Sequence, residues 1–416
     1  MSSKDYYFRT RCRMCDGDHL EKVMELTPTP PGNNFLKKEE IDTAEPCYPL
    51  DLYFCDDCHH VQLGHVVDPK ILYQNNYPYV SATSSQFVRH LNEYADAMVE
   101  RFALQPGSLV ADIGSNDGTC LRAFKQHGMK VLGVDPAENI AEAATAAGIE
   151  TIGQFFSLKL AQQLKEQYGA AKFITSHNAC AHIDQLDGVM RGVAHWLDDG
   201  GVFVLEVGYL VDVYSNLWFD TIYHEHCDYH TVGPFEKLFE RTGLELVAVQ
   251  RVSPQGGSIR IMAQKAGGNF KRDESILQLM DLEVELGLDQ PSTFALYLER
   301  INVAGKGLRT LIRSIKAENK SIAAYGATTK STTMLAQFGV NADSIDFIVD
   351  DNPLKQGLFS PRLHIPVVPT GELYRRRPDY VLVLAWNFAE PIMAMHKAYA
   401  EQGGRFILPM PTPRIV

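Results

Sequence analysis

Five short β-like runs alternate with helix-length segments: LVADI (109–113), KVLGVD (130–135), IETI (149–152), KFITS (172–176) and VFVLEV (202–207). This rhythm constrains the fold more than any other feature of the chain. Strands separated by helices are joined by crossovers, so they lie parallel in one sheet covered on both faces. Beyond them, LELVAVQRVSPQGGSIRIMAQK reads as two strands around a Pro-Gln-Gly-Gly turn, so the last strand should enter antiparallel. The expectation is an α/β protein whose centre is a doubly wound, Rossmann-like sheet with an antiparallel last strand. A helix precedes it, with Phe87, Leu91, Tyr94, Met98 and Phe102 on one face.

Two further regions flank this sheet. Residues from about 270 to 318 read as helices with a break and restart at Pro291 and Ser292. SIAAYG, SIDFIVD and DYVLVLAW then alternate with helical stretches, a second Rossmann-like rhythm. The expected division is residues 1–75, 76–268 and 269–416.

The first of these is set by cysteine. Four of the eight cysteines fall into two identical spacings, CRMC (Cys12, Cys15) and CDDC (Cys55, Cys58). Paired knuckles present four thiolates tetrahedrally to one Zn²⁺. A cytosolic chain disfavours disulfides, and redox motifs normally stand next to a βαβ pattern. The intervening segment carries Pro28, Pro30, Pro31 and Gly32 with little periodicity, so the metal is expected to be structural. Cys47, His19, His59 and His60 are read as bystanders, because a closed four-sulfur site leaves no open position.

With 416 residues and 45% hydrophobic content, the chain can fill two or three real cores. Its 39 basic and 51 acidic residues give a net charge of −12, which opposes a nucleic-acid partner held through phosphates. MSSKDYYFRTR has no apolar signal core, and no run approaches the ~18 apolar residues of a spanning helix. The reading is a cytoplasmic protein without a membrane partner, and a monomer.

VADIGSNDGTCL is a strand, a glycine turn and a helix start, with Gly114 and Gly118 where backbone approaches a ligand closely. It lacks G-x-G-x-x-G, and it offers Asp112, Asn116 and Asp117, of which the two carboxylates would repel a pyrophosphate rather than bind it. A cationic ligand suits it better. Asp135, ending the second strand with Pro136 behind it, can accept both hydroxyls of a ribose. Together these favour S-adenosylmethionine, which has a ribose, an adenine and a sulfonium but no phosphate. Gln154, Phe155 and Phe156 after the third strand, and His177, Asn178 and His182 after the fourth, would flank it.

The fifth strand runs into a long insertion ending in TIYHEHCDYH (221–230). Three readings stand there: a catalytic metal, a polar structural loop, or general acid/base work. The helical zinc spacing is His-Glu-x-x-His, which this is not. In an extended strand His224 and His226 would share a face and could chelate, with Glu225 turned away.

Taken together, the two cysteine knuckles, DIGSNDG, FDTIYHEH, GGSIRI and YGATTKS…DDNPLKQG…VLAWN resemble, in this order, the S-adenosylmethionine-dependent nucleotide-sugar C-methyltransferases. The likeness is strongest to those that methylate carbon 3 of a 4-keto deoxyhexose carried on thymidine diphosphate. The resemblance implies a zinc domain, a methyltransferase domain and a C-terminal domain that helps hold the nucleotide sugar. It also implies a catalytic set of Tyr223, Glu225 and His226, with His226 as base and Tyr77 and His182 as neighbours.

The chemistry is coherent by itself: a base removes the proton next to the ketone, a donor stabilises the enolate oxygen, and the carbon displaces the sulfonium's methyl. YGATTKS lacks the Walker spacing, so ATP hydrolysis is unsupported. Gly326, Lys330, Asn352 and Lys355 are candidates for the diphosphate carrier, with Tyr79 and Asn178 on the sugar. Methylation of a non-sugar ketone, or a non-catalytic nucleotide-sugar module, are the alternatives.

Overall fold

The computed structural model describes residues 5–73 and 85–416. Tyr77 and Tyr79 lie outside the described residues.

The N-terminal region is antiparallel. β1 (Tyr6–Phe8) pairs with β5 (His65–Val67), while β2 (Leu20–Thr29), β3 (Tyr48–Cys55) and β4 (Val61–Leu63) form a meander. Alternate residues of a strand face one side, and Tyr48, Leu50, Leu52 and Phe54 of β3 are all buried. The fourth strand of this sheet, β11 (Asp228–Tyr229), comes from the distant insertion: Asp228 lies opposite Gln62 and Tyr229 opposite Val61. The His-Glu-His segment is thereby sewn to the zinc region.

The central sheet contains β6 (Leu109–Ile113), β7 (Lys130–Val134), β8 (Thr151–Ile152), β9 (Ala171–His177), β10 (Leu197–Gly208), β12 (Leu244–Val252) and β13 (Ser258–Lys265). Its order is β12-β13-β10-β9-β6-β7-β8, and β13 is antiparallel to both neighbours, as the Pro-Gln-Gly-Gly turn requires. Strand order reverses between β6 and β9, and ligands bind outside the carboxyl ends at such a switch point. The helix Ser85–Arg101 buries Phe87, Leu91, Tyr94 and Met98 against the sheet, with Phe102 just beyond it.

Helices Ser275–Glu285 and Ser292–Ala317 flank Pro291, as expected. The last sheet is β16 (Val367–Val368), β15 (Ile348–Val349), β14 (Ile322–Tyr325), β17 (Tyr380–Val383), β18 (Arg405–Leu408) and β19 (Arg414–Ile415), in that order. All pairs are parallel except β18 with β19. β16, β18 and β19 go beyond the three runs read from the sequence. The helix Thr329–Gln337 is capped by Thr328, whose hydroxyl accepts the Ser331 N–H at 3.2 Å. It touches both other regions: Thr333 Oγ1 donates to the Ile222 carbonyl, and Gln337 Oε1 accepts the Thr27 N–H. No helix among the described residues is long and apolar enough to cross a membrane.

Candidate active site

Gly114 leaves β6 at φ 75°, and a Cβ there would stand 2.4 Å from that of Ala179, so no side chain fits. Asp135 braces this loop from the end of β7, its two oxygens accepting the N–H groups of Asn116 and Ala137 at 2.9 Å each. A carboxylate has about four acceptor positions, so capacity remains for further donors. Burial raises the Asp135 pKa, and those two N–H groups oppose the rise. Beneath the loop Asp112 is buried; burial, then the charge of Asp135, pushes its pKa well up. Asp112 Oδ1, Ser115 Oγ and both ring nitrogens of His177 are buried without hydrogen-bond partners. Such orphans in a native fold call for a polar ligand or water.

The other predicted contacts divide. Pro136, Gln154 and Phe155 are exposed at the strand ends, Phe155 at 67%. Phe156 is not brought there: it stacks on Trp196 at 6.0 Å and stands where a Cβ on Gly192 would fall. Adjacent phenylalanines in extended chain point opposite ways, and only one can face the crevice. Asp117 is engaged in capping, accepting from the Thr119 N–H and hydroxyl, with Arg122 at 3.4 Å. Asn178, at φ 57°, donates its N–H to the Glu206 carbonyl at 2.7 Å.

Glu206 is a residue the sequence reading missed. It accepts from His90 and Arg260 at 2.7 Å each. Burial would raise its pKa, but His90, His177 and Arg260 outweigh this and hold it at about 2. The signal available was Arg260 flanked by Ile259 and Ile261 in the GGSIRI strand.

The His-Glu-His segment is a turn rather than a strand, closed by the His226 N–H on the Tyr223 carbonyl at 2.9 Å. Its three side chains therefore diverge, and His224 and His226 do not form a chelating pair. His224 is buried toward the zinc region, its Nε2 donating to the Tyr48 carbonyl at 3.2 Å. Glu225 is 4% exposed and accepts from Asn33 Nδ2 at 2.9 Å, while Asn33 Oδ1 accepts the Thr329 hydroxyl at 2.7 Å. Burial pushes Glu225 up to about 7, against the opposing pulls of Asn33 and Lys355.

His226 turns to the carboxyl edge of the central sheet. Its Nδ1 lies 2.9 Å from the Thr221 carbonyl, which can only accept, so Nδ1 carries the proton. Nε2 is then an acceptor, 2.8 Å from the Tyr223 hydroxyl. The His182 ring stands edge-on at 4.8 Å. Burial, then His182 and Lys330, lowers the His226 pKa well below the ordinary 6.5, so the ring is neutral. The remaining CDYH residues are scaffold: the Cys227 N–H donates to the Ala181 carbonyl at 2.7 Å, and Asp228 accepts from His60 at 2.7 Å.

From the C-terminal region, Lys330 stands 5.7 Å over the Trp218 ring, and Lys355 donates to the Ala327 carbonyl at 2.7 Å. Burial lowers both lysine pKa values, opposed by Asp220 for Lys330 and by Asp350 and Glu225 for Lys355. Gly326 has φ 95° beside Ala385. Asn352 caps its own turn through the Leu354 N–H.

The four cysteine sulfurs lie within 4.8 Å of one another, with Cys12 and Cys58 at 3.6 Å and Cys15 and Cys55 at 3.5 Å. A tetrahedral Zn²⁺ with ~2.3 Å bonds implies edges of about 3.8 Å, so the site fits the ion. Cys47, His19, His59 and His60 are not part of the cluster.

A switch-point crevice with an acid closing its second strand, in a chain that also holds a cysteine cluster of zinc dimensions, defines an S-adenosylmethionine-dependent methyltransferase with a zinc-binding N-terminal domain. Family models match in the same order: a zinc binding domain at residues 12–73, a methyltransferase domain at 87–249, and the C-methyltransferase C-terminal domain at 253–411. The chain is 36% identical over 408 residues to the C-methyltransferase NovU of Streptomyces niveus, covering 97% of this chain and 96% of that one. It belongs to this C-methyltransferase family. Among solved structures it is similar to the magnesium protoporphyrin IX methyltransferase of Synechocystis PCC 6803 with bound SAH (16% identity, TM-score 0.35, 43% of this chain and 83% of that one). Another is an S-adenosylmethionine dependent methyltransferase from Mesorhizobium loti (17% identity, TM-score 0.34, 42% and 100%).

Proposed function

We propose that this enzyme methylates a ring carbon, carbon 3, next to the keto group of a 4-keto deoxyhexose linked to thymidine diphosphate, acting as a cytoplasmic monomer. The observation that carries the mechanism is the Tyr223–His226 pair facing His182 at the carboxyl edge of the central sheet. S-adenosylmethionine supplies an electrophilic methyl group on its sulfonium when bound. Asp135, with Gly114, Asn116 and His177, is the proposed holder of that cofactor.

His226 is the proposed base. With Nδ1–H fixed on the Thr221 carbonyl, only Nε2 can take a proton, and in the absence of substrate the Tyr223 hydroxyl occupies it. Turning that hydroxyl toward the ketone oxygen frees Nε2 and at once supplies a donor to the enolate. Tyr77 is proposed as a second donor. Glu225, Asn33 and Thr329 would orient the sugar, with Gly326, Lys330, Asn352 and Lys355 on the diphosphate. The proposed domain division is residues 1–75, 76–268 and 269–416.

One observation favours a second base. Glu225, raised to about 7, has the pKa suited to general-base work at neutral pH. A Glu225 base gives kcat/KM an acid limb near pH 7, whereas a strongly depressed His226 stays neutral and leaves the profile flat there. The substrate class is tested by incubating the enzyme with S-adenosylmethionine and a panel of nucleotide 4-keto sugars and simple ketones. The expected mass gain is one methyl on a thymidine-diphosphate sugar; gain on a non-sugar ketone alone overturns the assignment.

A further inference from the structure

Arg13 sits between the two cysteines of the first knuckle, and although it is charged its side chain is 0% exposed. Its backbone N–H donates to Gln62 Oε1 at 2.9 Å, fixing the start of the side chain to β4. The guanidinium then spreads over groups that all belong to the His226 and His182 loops or to the strand beside them. Nε donates to Asp184 Oδ1 at 3.0 Å, and Nη2 stands 3.0 Å from the same oxygen. Nη1 donates to the Leu63 carbonyl at 2.9 Å and the Cys227 carbonyl at 3.3 Å, with Asp228 at 4.0 Å.

Those positions matter because of what adjoins them. Asp184 is two residues beyond His182, and Cys227 directly follows His226. The Cys227 N–H also donates to the Ala181 carbonyl, so both imidazole loops are tied to one another and to one cation. A planar guanidinium has five donors in a fixed fork, which lets it hold a carboxylate and two carbonyls in one geometry.

We propose that Arg13 is a positioning residue for methyl transfer: the zinc knuckle fixes Arg13, and Arg13 fixes the distance and angle between His226 and His182. This rests on the reading of His226 as the base. The zinc domain then serves the reaction through the side chain of the residue that follows one of its ligands, Cys12, in addition to folding its own segment.

The test compares Arg13→Met, Arg13→Lys, Asp184→Asn and His226→Asn in the full-length zinc-loaded enzyme. For Arg13→Met the expected result is one zinc per chain, S-adenosylmethionine affinity within about twofold of wild type, and kcat reduced roughly 100-fold. Arg13→Lys, able to keep Asp184 but not both carbonyls, should recover part of that loss. In ¹⁵N-histidine spectra the resonance absent from His226→Asn should shift in the Arg13 and Asp184 variants. If Arg13→Met does not fold, the Lys and Asp184 variants decide. Wild-type kcat and an unmoved His226 resonance in those variants overturn the proposal. Should His226→Asn retain activity, the base assignment fails separately, and the resonance shift still reports whether Arg13 positions that ring.

Discussion

The central and C-terminal sheets build the same loop and line it with different side chains. In each, a strand ends in a left-handed glycine, Gly114 or Gly326, whose N–H donates to the last carbonyl of the second strand, Val134 or Val349, at 2.8 Å. In each, the next residue is an aspartate, Asp135 or Asp350, that accepts one N–H from the loop and one from two residues ahead. Each glycine abuts an alanine after the fourth strand, Ala179 or Ala385. The contents differ. The central loop has Asp112 beneath it, and the C-terminal loop has Ala324 there and Lys330 and Lys355 alongside. The same backbone turn thus recurs with different side chains around it, which is what the proposed division of a sulfonium cofactor to one loop and an anionic carrier to the other requires.

The strongest way to break this comparison is to block one loop at a time. Gly114→Ala puts a methyl 2.4 Å from Ala179 at positive φ, and is expected to abolish measurable S-adenosylmethionine binding by calorimetry. Gly326→Ala should leave that binding intact and raise KM for the nucleotide substrate. Loss of cofactor binding in both variants would merge the two sites.

Acid should separate the regions next. His177, His182, His224 and His230 are pushed by burial from 6.5 to about 4, and all serve the central sheet or its junction with the zinc region. A histidine held neutral in the fold binds fewer protons than in the unfolded chain. Stability is therefore full above about pH 6.5, falls as pH drops, and levels off below about 4, by at most about 3 kcal/mol per ring. Hydrogen exchange at pH 5 should accelerate in the central sheet before β14 to β18.

A smaller effect belongs to the braces. Asp135→Ala is expected to weaken S-adenosylmethionine by about 2–3 kcal/mol, while Asp350→Ala spares it. Smallest, Lys330→Met or Lys355→Met should each raise the nucleotide-substrate KM roughly tenfold, about 1.4 kcal/mol, without altering cofactor affinity. An unchanged KM in both would remove the lysines from the carrier site.

What was legible in the sequence follows the range of the contacts. The cysteine knuckles, the glycine loop and Asp135 are local patterns whose chemistry fits in a few consecutive residues. Asn33, Glu206 and Arg13 were silent because their partners, Glu225, His90 and Asp184, lie far away in sequence. Phe156 was misplaced because a pair of adjacent aromatics does not say which one faces out. The His-Glu-His segment was readable as chemistry but not as geometry: its turn is set by a backbone bond that no residue type announces.

Proton exchange tests the central claim most directly. With an unreactive cofactor analogue bound, the wild-type enzyme in deuterated water should exchange the substrate proton next to the ketone. His226→Asn should lose that exchange and methylation together while its cofactor affinity stays unchanged. Exchange at the wild-type rate in that variant would contradict the account and move the base to Glu225, His182 or a tyrosine.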